Sequence, residues 1–371
     1  MVSRRRFLLS AMATTGGLAA TVSACSSGTA TDDYERAASR TWRHAEVKEG
    51  NGPARLRELV RYATLAPSSH NTQCWKFRVE DGAISVLPDF SRRCPAVDPD
   101  DHHLFVSIGC AAENLAQAAL ADGLHANAAF DPSAGGTLRL SLEPAQALAS
   151  PLFAAIPERQ STRGEYDGKP IATNELALLE RAGNGNGNGV RVILLTERAA
   201  MEQALEYVVQ GNTAQMNDRA FVDELKAWIR FSGSDAVRTG DGLYSASSGN
   251  PSVPAWLGSL LFGLFFTPQS ENDKYAKHVR SSSGMAVFVS DTESPAQWIE
   301  VGRCYERFAL QSAALGIRNA MLNQPVEVAA LRPQFATFLG LGGRRPDLVV
   351  RFGRGPKMPP SLRRPVEAVL A

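Results

Sequence analysis

The sequence predicts an α+β protein built twice over. Three observations carry that reading. Short alternating runs that pair as strands sit between helices with apolar residues at helical spacing. A long Ala-rich helix occurs once in each half of the chain. The two copies align when the sequence is shifted by 193 residues: Gly109 falls on Gly302, Glu113 on Glu306, Ala116 on Ala309, Ala121 on Ala314 and Gly123 on Gly316. Such self-similarity marks a unit present twice. Two similar units in one chain are expected to pack as a pseudo-twofold, intrachain dimer.

Composition narrows the function classes. The chain has 371 residues, with 39 Lys and Arg against 38 Asp and Glu. A net charge of +1 excludes an overall basic nucleic-acid binder. Five cysteines at irregular spacing (Cys25, Cys74, Cys94, Cys110, Cys304) form neither a disulfide framework nor a zinc ribbon.

The first element is an address. Ser3-Arg4-Arg5-Arg6-Phe7-Leu8-Leu9, followed by an Ala/Gly-rich apolar stretch, resembles a twin-arginine export signal over residues 1–24. Val22-Ser23-Ala24-Cys25 resembles a lipobox, in which Cys25 is lipidated and becomes the first mature residue. The mature chain then carries 36 basic and 38 acidic side chains. These features imply the twin-arginine export machinery as a partner, a membrane contact through a lipid anchor at Cys25, and a cell-envelope location. Residues 25–50 are Ser-, Thr- and charge-rich, with little periodicity, and read as a tether.

The first half spans 51–150. Leu56, Leu59, Val60, Ala63 and Leu65 predict a helix stopped by Pro67. Trp75–Val79 alternates as a strand, Asp81-Gly82 turns it, and Ala83–Leu87 pairs back. Residues 103–122 form the long helix, with Gly123 as its C-cap. The second half spans 151–371: a helix at Leu176–Ala182, a flexible Asn/Gly connector through Gly189, a strand at Val190–Thr196, and the long helix Val301–Leu315 ending at Gly316. Residues 236–283 read as an insertion rich in exposed-type aromatics and leucines. A lid, a dimer surface between two copies of the chain and a membrane-dipping hairpin are the uses open to it.

Four strings carry the chemistry. Ala66-Pro67-Ser68-Ser69-His70-Asn71-Thr72-Gln73-Cys74-Trp75-Lys76-Phe77 closes a helix and enters a strand, offering hydroxyls, amides and backbone N–H groups. It resembles the A-P-S-x-x-N-x-Q-P-W-x-F signature of the nitroreductase superfamily of FMN proteins, with Cys74 in place of Pro. Arg159-Gln160-Ser161-Thr162-Arg163 resembles that family's R-x-S-x-R element, whose guanidinium forks suit a phosphate dianion. Asn323-Gln324-Pro325-Val326-Glu327-Val328 resembles the P-[IV]-E-G segment that passes flavin N5, with Val328 in place of Gly. Val349–Pro356, followed by Arg363-Arg364-Pro365, resembles the closing strand and the basic residues that complete the phosphate pocket.

The resemblance implies a nitroreductase-like mixed sheet flanked by helices and present twice, as in the fused, Acg-like branch. It implies one FMN site and one degenerate site. Carried over residue by residue, the cofactor ligands are Pro67, Ser68, Ser69, Asn71 and Gln73 from the first half. Arg159, Ser161, Arg163, Gln324, Pro325, Glu327, Val328 and one or both of Arg354 and Arg364 come from the second. The implied activity is hydride transfer through flavin N5 to a nitro, quinone or activated-alkene acceptor, fed by an unknown electron donor. The alternative is an exported protein that holds flavin behind a lid without catalysis. No side chain is singled out as catalytic. Asp98, Asp100 and Asp101, clustered with His102 and His103, are read as capping a helix; adjacent histidines at a helix start are expected to diverge, so the cluster is not read as a metal site. Cys74 is read as packed rather than redox-active.

Overall fold

The computed structural model describes residues 26–44, 52–185 and 187–371. The export signal and Cys25 lie outside the described residues.

Helix α1 (Ser26–Thr41) comes first. It stands where a featureless tether was expected. Tyr34 and Ala38, one helical turn apart, are buried against Ala236, Tyr244 and Leu362. That apolar pair supplies the packing that a Ser- and charge-rich helix needs in order to persist.

In the first half, α2 (Pro53–Thr64) leads through a 3-10 turn at Ser69–Asn71 into the hairpin of β1 (Trp75–Glu80) and β2 (Ala83–Pro88). The long helix α3 (His102–Ala121) follows, then β3 (Leu124–Asp131) and β4 (Thr137–Pro144). The strands lie in the order β1-β2-β4-β3 and every pairing is antiparallel.

The second half opens with α4 (Pro151–Ala155), α5 (Thr173–Gly183) and β5 (Val190–Leu195). A long excursion then carries α6 (Arg198–Asn217), α7 (Arg219–Trp228), β6 (Ile229–Arg230), α8 (Gly233–Thr239), β7 (Leu243–Tyr244), α9 (Ala255–Phe265) and α10 (Pro268–Arg280). The chain returns as β8 (Gly284–Ser290), α11 (Pro295–Ala314), β9 (Arg318–Met321), α12 (Gln324–Glu327), α13 (Arg332–Phe338), β10 (Pro346–Gly353) and α14 (Val366–Val369). This sheet runs β5-β8-β10-β9.

Counted within its own half, each sheet has its first, second, fourth and third strands side by side, with the long helix between the second and third. The duplication inferred from fifteen helical positions therefore extends to topology. The halves differ mainly between their first two strands, where the turn at Gly82 is replaced by the excursion of residues 196–283. Parallel pairing enters at the sheet edges, where Leu370 bridges Phe77 and Ser161 bridges Asn319.

α3 and α11 pack on each other at the centre. The core is continuous across both halves, from Ile108 and Leu115 to Tyr305, Phe308 and Phe352. α3 is the one described helix long and apolar enough to cross a membrane, and it is the buried core helix of this fold. Both long helices end as expected, on Gly123 (φ 76°) and Gly316 (φ 68°). α11 starts six residues before Val301, where Ser294 accepts the amide of Gln297. The Asn/Gly connector is tied down rather than loose: Asn184 Oδ1 accepts the Val192 amide, and Asn188 donates to Glu300.

Candidate functional site

A cleft of about 450 Å³, its open mouth included, lies where the two halves and the C-terminal tail meet. Pro67, Ser68 and Asn71 form one wall, and Arg159, Ser161 and Arg163 form the opposite one. Arg363 and Trp42 close it, while Leu243 and Ser247 border it from the excursion. The two sequence strings separated by almost a hundred residues thus face each other.

The first wall is held in a strained shape. His70, Asn71 and Gln73 all have positive φ (48°, 54° and 54°), a region non-glycine residues seldom occupy. Hydrogen bonds offset the strain. Asn71 Nδ2 donates to the carbonyls of Gly242 and Leu362, and its Oδ1 accepts from Arg363. Gln73, fully buried, donates to Gly240 O and accepts the Arg364 amide. Ser68 Oγ accepts the Gln73 amide. The Asn71 and Gln73 amides, expected on the flavin, therefore fasten the loop to the excursion and the tail. Ser69 lies in the 3-10 turn, outside the cleft lining.

The second wall hangs on the edge of β9. Ser161 bridges Asn319, and the Thr162 amide donates to Asn319 O at 2.9 Å. Arg351, 1% exposed, locks its far side by donating to Thr162 O and Gly164 O. Arg159 is buried, donates to Leu65 O and lies 3.2 Å from Glu306. Burial pushes the Glu306 carboxyl up to about 7, against the pull of Arg159. Arg163 has no hydrogen bond or ion pair to any described residue, and burial pulls its guanidinium below the usual range. A half-buried cation without a counter-charge favours a ligand that supplies one.

The remaining expected ligands are elsewhere. Arg354 donates to Leu315 O and pairs with Glu175, and Arg364 reaches Ala368 O. Neither borders the cleft. Arg363 does: its guanidinium donates to Thr64, Leu65 and Ala66 carbonyls at the C-terminal end of α2, and burial lowers it to about 9. A helix C-terminus favours such a cation. The Arg363-Arg364 pair was visible in sequence, but which of the two turns inward depends on the path of the tail. Trp42 was not foreseen. Its ring lies 4.9 Å from the Arg363 guanidinium and 5.8 Å from that of Arg159, and its Nε1 donates to Ser361 O.

Gln324, Pro325, Glu327 and Val328 do not line the cleft as shaped here. They form and end α12, pressed against Gly211 of α6, where an added Cβ would lie 2.8 Å from Gln324. The amides of Glu327 and Val328 close back on Asn323 O and Gln324 O. The Glu327 carboxylate accepts from Gln215, and burial raises its pKa. Tyr275 is beside Gln324 and in the electrostatic reach of both Glu327 and Arg163.

Of the carboxylates expected to cap α3, Asp98 does so, while Asp101 at the N-cap position makes no side-chain cap bond and Asp100 pairs with Arg345. Asp98 accepts the His103 and Leu104 amides at 3.0 Å. Contrary to the expectation that adjacent histidines diverge, both rings turn into the core, with centroids 4.7 Å apart. His102 Nε2 meets Asp347 and His103 Nε2 meets Asn323. Cys74 is buried, and burial pushes its thiol up to about 12, so it is packed as a thiol.

The donor set of the cleft fits a phosphate. It offers three guanidiniums, the Ser161 hydroxyl and the Ser247 hydroxyl, which is buried without a partner. No described carboxylate lines it. In the pseudo-symmetric position, Glu113, the counterpart of Glu306, is paired with Arg303 and Arg307 of α11 instead of an arginine from a facing loop.

No established family profile matches the chain. It is similar to two Mycobacterium tuberculosis proteins that carry the name NAD(P)H nitroreductase. With Rv3131 it shares 27% identity over 348 residues, covering 87% of this chain and 95% of that one. With acg it shares 23% over 327 residues, covering 85% and 94%. Among solved structures, a nitroreductase with bound FMN from Desulfitobacterium hafniense superposes with a TM-score of 0.37 and 17% identity, covering 58% of this chain and 96% of that chain. The similarity to the two mycobacterial proteins thus runs through both halves of the duplicated fold.

Proposed function

We propose that this chain is an FMN-dependent oxidoreductase of the nitroreductase type. It passes hydride to a nitro, quinone or activated-alkene acceptor and works outside the cytoplasmic membrane, held by a lipid at Cys25. One observation carries the cofactor assignment: Arg163, without a partner, faces the Pro67–Asn71 loop beside Arg159 and Arg363, on walls that hold no carboxylate. The names of the mycobacterial relatives support the class of reaction.

The residues divide the work. Arg159, Arg163 and Arg363 neutralise a phosphate, and Ser161 and Ser247 offer hydroxyls beside it. Pro67 and Ser68 present the opposing wall, kept in place by Asn71 and Gln73. Arg351 positions the Arg159–Arg163 segment through Thr162 O and Gly164 O. Bound FMN would supply the redox chemistry, taking and giving hydride at N5. A non-catalytic, flavin-holding role is the second reading. It is favoured by the amides of Glu327 and Val328, which are already hydrogen-bonded within their own turn.

Extraction of protein loaded in the cytoplasm should yield one FMN per chain; none would overturn the assignment. Anaerobic reduction by quinols and by small chemical donors, followed by reoxidation with a nitroaromatic or quinone, tests catalysis. A flavin that reduces but is not reoxidised by any acceptor selects the second reading.

A further inference from the structure

Residues 242–270 contain no Asp, Glu, Lys, Arg or His, in a chain that is 21% Asp, Glu, Lys and Arg. Within this stretch α9 is uncharged from end to end, with Ser259 its one polar side chain, yet too short to span a bilayer. Its two faces are sharply different. The inner face is seated on Phe231: a Cβ on Gly258 would lie 2.3 Å from that ring, and Phe262 meets it edge-on at 6.3 Å. The outer face carries Trp256, Leu260 and Leu264, four residues apart, at 69%, 70% and 71% exposure. These three are the most exposed large hydrophobic side chains among the described residues.

We propose that this outer face rests in the surface of a lipid bilayer. The side of the helix not seated on the protein carries Trp256, Leu260 and Leu264, with Trp near one end where an amphipathic ring favours the headgroup level. The stretch itself supplies no charge, and Lys226, with its Nζ 5.8 Å from the Phe262 ring, is a cation beside the helix that can reach toward lipid headgroups. The start of the described chain points the same way. α1 begins at Ser26, directly after Cys25, and docks on the block that carries α9. Tyr34 packs on Tyr244 at 4.7 Å, Ala38 and Ala236 belong to the same cluster, and Val253 ties the approach to α9 back to Phe231 O. A lipid at Cys25 and the apolar face of α9 then act on one structural unit, and two weak attachments make one stable one. The proposal rests on the lipid-anchor reading for its physiological setting, but the affinity of α9 for lipid is independent of it. Leu243 and Ser247 of the same uncharged stretch border the cleft, so the arrangement sets the cleft at the membrane surface.

The test uses the FMN-loaded mature chain with Cys25→Ser, so that no acyl chain contributes. Sedimentation with phosphatidylcholine vesicles should carry the protein down. Because α9 has no basic residue, adding anionic lipid or raising salt should change the bound fraction by less than twofold. Leu260→Asp with Leu264→Asp should lower partitioning at least tenfold, whereas Leu148→Asp, on an exposed leucine of another segment, should not. Brominated lipid should quench Trp256 fluorescence in the parent and not in Trp256→Phe. Flavin content, read in the same samples, reports separately on the cofactor assignment and is expected to be unchanged. Absence of vesicle binding, or binding untouched by the double substitution, would overturn the proposal. So would a dimer on a sizing column that the double substitution converts to monomer without vesicle uptake, which would assign the face to a second copy of the chain.

Discussion

Gly109 and Gly302 meet at the crossing of α3 and α11, each where the other needs the space. A Cβ on Gly109 would lie 2.0 Å from Ile299 O and 3.0 Å from the Gly302 Cα. A Cβ on Gly302 would lie 1.9 Å from Val106 O and 3.0 Å from the Gly109 Cα. The contact is reciprocal, as an isologous axis requires. The pair that first aligned the two halves in sequence is the point about which they are related in space.

Gly109→Ala and Gly302→Ala should each destabilise the protein by about 1–3 kcal/mol, because overpacking outweighs the gain in helix propensity. Gly263→Ala, in α9 with nothing within 4 Å of its Cβ, should instead be neutral or stabilising by up to about 1 kcal/mol. Denaturant titration of the three variants reads the opposite signs. Equal effects would show that the crossing is not close.

Arg163→Ala should move two quantities in opposite directions. It removes a half-buried cation that has no counter-charge among the described residues, so the FMN-free protein should melt at a higher temperature. It also removes a charge-assisted contact, so FMN binding should weaken by about 1.5–3 kcal/mol. Arg354→Ala, which loses only the Glu175 pair and a carbonyl contact away from the cleft, should leave FMN affinity unchanged. Calorimetry of FMN binding alongside thermal melts checks both.

Glu306 introduces a pH dependence. Burial holds its carboxyl at about 7 in the folded protein, above the ordinary value. The folded state therefore binds this proton more tightly than the unfolded chain. Ionised Glu306 costs stability above about pH 7. The cost recedes as pH falls through 7 and levels off below the ordinary glutamate range, near pH ~4.3. Glu306→Gln should gain stability relative to the parent as pH rises from about 5 to 8. A difference that is flat over that interval would place the titration elsewhere.

Tyr34→Ala should loosen α1, which Tyr34 fastens through Tyr244 and through a hydrogen bond to Pro360 O. Trp42 follows α1 by one residue, so the closed end of the cleft should open and FMN should dissociate faster, read by recovery of flavin fluorescence on dilution. Secondary structure by circular dichroism should change little, since α1 lies outside the central core. An unchanged dissociation rate would show that α1 does not govern the cleft.

The sequence by itself determined the repeated architecture. Helical periodicity, the strand–turn–strand at Asp81-Gly82 and the paired glycines are properties of neighbouring residues, and the 193-residue shift compares one local pattern with another. It also determined which strings form the cleft walls, because Pro67, Ser68, Arg159, Ser161 and Arg163 occupy fixed places in a strained loop and in an extended segment bridged to β9 at Ser161. Only the tertiary structure decided the partners. Asn71 and Gln73 are bound by Gly240, Gly242 and Leu362, whose approach depends on the long excursion and on the tail. Arg363, rather than Arg354 or Arg364, enters the cleft because the tail crosses the C-terminal end of α2. Residues 26–41 become helical because Tyr34 and Ala38 find an apolar seat far away in sequence. A side chain's hydrogen-bond partner is chosen by segments as far as 326 residues away, as Pro360 is from Tyr34, and no local pattern encodes that choice.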